Sequence, residues 1–333
     1  MKGALYYSPE DNEKNIVRCL LCPHGCKIAP DGTGICGVRK NISGKLFSLT
    51  YGKVSSMSMD PVEKKPLYHF YPGSGILSVG SVGCTFKCPW CQNSEISRGS
   101  PDSRSLALRE VKIDELIKIA KARDSAGIAY TYNEPLINYE FLLECSKQFH
   151  ENKLKNVLVT NGFVNEGPFA ELLPSIDAAN IDVKFFNDSL YREVCGGNFG
   201  EVMRTVGMMF GAEKHVELTF CVVTKANDGK ADFEKFVDRV RSLSADIPLH
   251  ISRYFPSFNY QEEPTSLKTL YEFRDIAVKK LNFVYLGNVA EETNTYCPSC
   301  RTLLIKRKGY FVEKTGLEGN TCAKCGKIIS GAF

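Results

Sequence analysis

Eleven of the fourteen cysteines in this 333-residue chain fall in three tight groups, and that grouping limits the possible folds more than any other feature. Cys19, Cys22, Cys26 and Cys36 make the first group, Cys84, Cys88 and Cys91 the second, and Cys297, Cys300, Cys322 and Cys325 the third. The opening MKGALYYSPEDNEK lacks the apolar stretch of a signal peptide, and no run approaches about 18 consecutive apolar residues, so nothing directs export or spans a membrane. A cytoplasmic protein is expected, where disulfides do not persist and thiols this closely spaced hold metal. Three cysteines stand apart. Cys145 shares a helical stripe with Leu142 and Phe149, and Cys221 lies in the run VELTFCVV, so both read as small core residues. Cys195, beside a glycine pair in REVCGGNFG, receives no role.

With 43% apolar and 24% charged residues the chain can bury a sizeable core. Between residues 76 and 289 short apolar runs alternate with segments of helical period, the pattern of βα units around a parallel sheet. The expected strands are 76–83, 127–135, 156–163, 178–186, 215–223, 248–255 and 282–289. Ile113, Leu116, Ile117 and Ala120 form one amphipathic stripe between them, and Phe233, Phe236, Val237 and Val240 another. The strands end in polar or glycine-containing segments, and barrel enzymes build their sites at C-terminal strand ends. The expected class is therefore α/β, a partial (βα)6 barrel over 71–290, with a Cys-rich N-terminal extension over 1–70 and a zinc-ribbon-like C-terminal domain over 291–333. Segment 97–107 reads as an exposed loop.

The middle group, GCTFKCPWC, follows directly on the first expected strand. Three thiolates leave one iron of a 4Fe–4S cluster open, whereas structural sites close with four ligands. Zinc with a fourth ligand from outside the loop is the alternative, although the loop has no histidine. The N-terminal group can complete four-thiolate coordination alone, and both Zn²⁺ and a second 4Fe–4S cluster suit cysteine-only ligation. His24, inside it, reads as a neighbour of the site or a solvated residue. The C-terminal group has two CxxC knuckles 21 residues apart, a zinc ribbon pattern whose use is folding.

Cys84, Cys88 and Cys91 match the signature of the radical S-adenosylmethionine (SAM) superfamily. More narrowly, RCLLCPHGCKIAPDGTGICGVRKN, DPVEKKPLYHFYPGS, GCTFKCPWCQNSEIS and the terminal CPSC and CAKC together resemble the AmmeMemoRadiSam-system radical SAM enzymes, relatives of the pyruvate formate-lyase activating enzymes. That resemblance implies a radical SAM barrel in which the open iron chelates SAM. One electron then cleaves the sulfonium to methionine and a 5′-deoxyadenosyl radical that abstracts hydrogen from a substrate. It also implies an electron donor of ferredoxin or flavodoxin type and association with Memo-like and AMMECR1-like proteins. Activation of a glycyl radical enzyme is the next possibility.

Within that resemblance, Tyr132-Asn133-Glu134-Pro135 stands where the activating enzymes carry Gly-Gly-Glu-Pro, so Asn133 and Glu134 are expected near the SAM amino group. Asp182 and Lys184 match an Asp-x-Lys motif, in which the lysine suits a carboxylate. Asn161, His250, Arg253 and Asn288 lie at later strand ends and are expected to meet ribose, adenine or substrate. The block of Asp60, Glu63, Lys64, Lys65 and His69 is expected to line the open side of the barrel.

The formal net charge is +4, yet 297–333 carries seven basic residues against Glu313 and Glu318. An RNA-binding or RNA-modifying zinc protein is therefore an alternative reading. Charge runs are usually solvated faces, and four thiolates around one Zn²⁺ add −2, so nucleic acid is not the expected partner.

Overall fold

Apolar runs whose C-terminal ends turn polar become the strands of one sheet in the computed structural model, which describes residues 1–101 and 106–333. Residues 102–105 of the expected loop lie outside the described residues. The edge strand β1 (Ser56–Pro61) runs antiparallel to β2 (Gly75–Gly80). Parallel strands β3 (Gly127–Tyr130), β4 (Lys155–Thr160), β5 (Ala178–Asp182), β6 (His215–Val222), β7 (Leu249–Arg253) and β8 (Val284–Gly287) follow in sequence order. The crossovers carry α1 (Ile113–Ala122), α2 (Tyr139–Glu151), α3 (Glu166–Leu172), α4 (Phe199–Gly211), α5 (Lys230–Leu243) and α6 (Leu267–Ala277). Six βα units thus end on a seventh parallel strand. β1 and β8 are edges that do not pair with each other, so the barrel is partial.

Both faces of the sheet are buried, for different reasons. The outer face packs on the amphipathic helices: Leu116, Ile117 and Ala120 of α1 and Phe233, Phe236, Val237 and Val240 of α5 are all in the core. Side-chain caps fix where helices start, with Asn198 accepting from the Glu201 amide at 3.0 Å and Ser266 from the Thr269 amide at 3.0 Å. The inner face is filled by residues 62–70, which the sequence grouped with the extension. Val62, Leu67 and Phe70 pack on Ile76, Ala129, Val157 and Ala178 from four adjacent strands. Glycine is required where β3 meets β4, since a Cβ on Gly127 would lie 1.9 Å from the Lys155 carbonyl oxygen.

The expected strands overran the sheet mainly at their C-terminal ends, with 248 and 282–283 also outside it at the other. Residues 81–83, 131–135, 161–163, 183–186, 254–255 and 288–289 leave it and become loops at one rim. N-terminal hairpins (Tyr7–Asp11 with Ile16–Cys19, Arg39–Ile42 with Lys45–Ser48) pack near that rim, and Thr295–Tyr296, Leu303–Lys308 and Phe311–Lys314 form a separate small sheet. Among the described residues no helix is long and apolar enough to cross a membrane.

The N-terminal part is tied to α2 by a buried ion pair. Arg39, 1% exposed, donates to both carboxylate oxygens of Glu140 at 3.0 and 3.2 Å and also to the Leu5 carbonyl, while the Leu5 amide donates to Glu140 at 2.7 Å. Removing one member leaves a buried, uncompensated charge. Arg39→Met is expected to cost about 3 kcal/mol or more in urea unfolding, and adding Glu140→Leu should restore most of that loss.

Candidate active site

The loop after β2 turns at a glycine against which the Cys36 carbonyl leaves no room for a side chain. Gly83 sits at φ +90°, and a Cβ there would lie 2.5 Å from the Cys36 carbonyl oxygen. Asn133 fixes the loop from the end of β3, accepting from the Ser81 amide at 2.9 Å and donating to the Gly83 carbonyl at 2.9 Å. Cys84, Cys88 and Cys91 then line one wall of a cavity of about 570 Å³ at the C-terminal rim. The Phe86 amide points at the Cys84 sulfur at 3.3 Å, and the Ser97 hydroxyl lies 3.1 Å from the Cys91 sulfur. The Phe86 amide favours a thiolate at Cys84, while burial pushes that thiol well above its ordinary value.

Strand ends supply the opposite walls. Glu134 is 2% exposed and accepts three hydrogen bonds: from Thr160 at 2.6 Å, the Leu136 amide at 3.0 Å and the Asn161 amide at 2.8 Å. Burial pushes its carboxyl up to about 7 despite those donors. Asn161 donates to the Thr85 hydroxyl at 2.9 Å, tying β4's end to the residue after Cys84. Lys184 pairs with Asp182 at 3.0 Å, and both face the cavity. Asn288, at φ +58°, donates to the Arg253 carbonyl at 3.0 Å and closes the far side with Ser252 and Tyr254.

His250 is placed elsewhere. Ser252 and Tyr254 line the cavity, while His250 on the same strand face lies one step deeper, 2.6 Å from Glu217. Glu217, fully buried, also meets His215 at 2.9 Å and the His69 amide at 2.7 Å, so these groups form a polar floor beneath the cavity. Arg253 turns its Nε to the Thr265 carbonyl at 2.7 Å. The charged block divides. Lys64 and Lys65 reach the cavity, both bound to Asp60 at 3.0 and 2.6 Å, whereas Glu63 accepts from the Gly73 amide and His69 lies in the floor.

Several cavity residues were not anticipated. Cys221, read as core, lines the cavity two positions above Thr219. Tyr132, at φ +72°, donates its hydroxyl to Asp60 at 2.5 Å, with Lys65 over its ring. Cys195 is buried with its sulfur 3.3 Å from that of Cys88. The glycine pair after it was the available signal: a Cβ on Gly197 would lie 2.6 Å from the Phe86 ring.

Among the described residues, Cys297, Cys300, Cys322 and Cys325 are the one group whose ligand atoms all lie within 4.8 Å of one another. Their sulfurs stand 3.6 and 3.7 Å apart in pairs, close to the roughly 3.8 Å that tetrahedral zinc with Zn–S near 2.3 Å demands. The cysteines at 84, 88 and 91 do not converge to single-ion spacing. A cubane spreads its ligands over separate irons, so three unconverged thiols beside a polar cavity fit such a cluster. The ribbon packs on β8 through Phe283, Tyr285, Leu304 and Ile305. Arg307, one of its basic residues, is fully buried and donates to the Tyr68 carbonyl at 2.5 Å and to Thr295 at 2.6 Å.

The floor makes the fold pH-sensitive. His69 Nδ1 donates to the Ser330 carbonyl at 2.9 Å and its Nε2 accepts from Tyr285 at 2.7 Å. Burial, opposed by Glu217 and the Ser330 carbonyl and reinforced by His215 and Arg307, lowers its pKa from 6.5 to about 4. The unfolded chain therefore takes up a proton that the folded chain refuses, and stability present above pH 6.5 is lost as pH falls toward 4, on the order of 3 kcal/mol. Denaturant unfolding of His69→Gln between pH 6.5 and 4.5 should show a shallower slope than the wild type.

Comparison with known proteins adds three findings. The model of the radical SAM superfamily matches residues 78–243. An uncharacterised protein of Methanocaldococcus jannaschii is 38% identical across 99% of both chains. The 4-hydroxyphenylacetate decarboxylase activating enzyme of Clostridium scatologenes is 28% identical over 33% of this chain and 37% of its own, and the pyruvate formate-lyase-activating enzyme of Clostridium pasteurianum is 23% identical over 51% and 72%.

Proposed function

The chain belongs to the radical SAM superfamily and is an enzyme related to activating enzymes, and on that premise we propose that Cys84, Cys88 and Cys91 hold its 4Fe–4S cluster with one iron left for SAM. The observation that carries this reading is that the three thiols line one wall of a cavity whose other walls present Glu134 and Lys184. When bound, the cluster supplies the electron that cleaves SAM to methionine and a 5′-deoxyadenosyl radical able to take hydrogen from substrate.

The residues of the chain do the rest. Glu134 keeps a lone pair for an ammonium while Thr160 and two backbone amides hold its carboxylate in place. Lys184, oriented by Asp182, offers a point charge to the SAM carboxylate. Asn133 and Asn161 pin the cysteine loop rather than presenting their full amides to the cofactor. Asn288 stands at the far wall, within reach of nucleoside or substrate. Phe86, Trp90 and Val159 contribute apolar wall that keeps water from a reactive radical.

The substrate is one hydrogen donor acted on with partner proteins, Memo-like and AMMECR1-like proteins first. A second reading, activation of a glycyl radical enzyme, is favoured by the likeness to activating enzymes. Anaerobic incubation of the full chain with SAM and dithionite should yield 5′-deoxyadenosine, with loss of at least a hundredfold when Cys84, Cys88 or Cys91 becomes alanine. Partner stimulation of that rate separates the first reading from the second, which instead predicts a glycyl radical signal on a glycyl radical enzyme. Lys184→Met should leave the iron content unchanged and raise the Kd for SAM about tenfold, as loss of one charge-assisted contact implies.

The C-terminal quartet is proposed to hold Zn²⁺. Metal analysis should find one zinc per chain that is lost in Cys300→Ser/Cys325→Ser. A variant that keeps its zinc would reject the assignment.

A further inference from the structure

The N-terminal cysteines lie against the active loop on both sides of Cys84. The Cys36 carbonyl touches Gly83, the residue before Cys84, closely enough that a Cβ there would be 2.5 Å away. His24, between Cys22 and Cys26, places its Nε2 2.8 Å from the carbonyl of Thr85, the residue after Cys84. The same segment is fastened to β4's exit, where the Asn165 amide and side chain donate to the Leu21 and Leu20 carbonyls at 3.0 and 2.7 Å and the His24 ring packs edge-on to Phe163 at 5.1 Å. A site needed only to fold the N-terminal hairpins has no reason to grip the catalytic loop at both neighbours of one ligand.

The four sulfurs form a built thiolate site. Cys22 lies near enough to Cys19, Cys26 and Cys36 to feel their charge. Backbone amides of His24, Ile35 and Val38 favour ionised sulfurs at Cys22, Cys26 and Cys36, and the Arg39 guanidinium lies near enough to Cys19 and Cys36 to interact with their charge. Their spacing can be judged against the other two groups in the same molecule. The C-terminal quartet closes to single-ion distances, with sulfurs 3.6 and 3.7 Å apart. Neither the N-terminal four nor the active-site three do so, although within each set the sulfurs lie near enough to feel one another's charge. The N-terminal quartet therefore shares the spread of the cluster-binding loop and not that of the zinc ribbon.

We propose that Cys19, Cys22, Cys26 and Cys36 bind a second 4Fe–4S cluster that passes electrons to the active loop through the Cys36–Gly83 and His24–Thr85 contacts. This rests on the proposed function for its acceptor. A one-electron donor of ferredoxin or flavodoxin type is oxidised, and its electron moves through the N-terminal site to the cluster beside the cavity. From there it enters SAM, whose S–C5′ bond breaks to give methionine and the 5′-deoxyadenosyl radical. Atoms and charge balance with that single electron.

The test uses the full chain, purified and reconstituted anaerobically. Wild type is expected to carry about eight irons per chain, and Cys84→Ala/Cys88→Ala/Cys91→Ala about four, with a reduced-cluster electron paramagnetic resonance signal remaining. A triple variant that holds no iron, and two zincs per chain, overturns the inference. If the wild type holds about four irons and the triple variant retains all of them, the N-terminal cluster stands and the proposed function falls. In Cys22→Ser/Cys26→Ser the rate of 5′-deoxyadenosine formation with reduced flavodoxin, divided by the rate with dithionite, should drop at least tenfold. An unchanged ratio overturns the relay. His24→Ala, which keeps all four thiols, should retain the iron and lower the same ratio several-fold, and an unchanged ratio again counts against it.

Discussion

A carboxylate buried at the end of β3 organises the rim on which everything else is mounted. Glu134 would be costly to bury alone, and three donors, two from the end of β4 and one from its own loop, offset that cost. Because Thr160 and the Asn161 amide are committed to Glu134, the Asn161 side chain is aimed at Thr85 and holds the cysteine loop. Asn133, next to Glu134, holds the same loop at Ser81 and Gly83. The loop that presents three thiols is therefore positioned by strands rather than by its own sequence, which is how a rigid frame gives a short loop a fixed geometry.

Beneath that rim the barrel changes character by layer. Glu217, His215 and His250 form a polar level, and Val62, Leu67 and Phe70 an apolar plug against Ile76, Ala129, Val157 and Ala178. The plug fills the barrel from within, so the cavity has a floor beneath it. A closed floor and an open rim suit chemistry that must admit a large substrate yet exclude water from one end.

Much of this was legible in the sequence, for local reasons. The three cysteine groups are short-range patterns, and the seven parallel strands announce themselves as apolar runs with polar ends. The rule that sites form at strand ends led to Asn161 and Asn288, and with it the resemblance to activating-enzyme motifs led to Glu134, Asp182 and Lys184, all of which line the cavity. Depth along a strand was not legible. His250 and Ser252 have the same parity, but only the second stands at cavity level. Cys221 was hidden in an apolar run because a strand buried on both faces shows no alternation. Residues 56–70 look polar in DPVEKK, and only pairing with β2 reveals that their apolar members plug a barrel.

The floor has a further consequence in the order of synthesis. Phe70 pairs with Ala332, Tyr71 donates its amide to the Ala332 carbonyl, and His69 binds Ser330, so residues near position 70 wait for residues near 331. A nascent chain that has emerged through β8 possesses every parallel strand yet lacks the latch beneath them. Synthesis and folding of the small four-cysteine ribbon that carries the latch therefore precede completion of the barrel. A ribbon that fails to fold would then leave a population of chains with assembled strands and an unlatched base, exposed to proteases around residues 69–71.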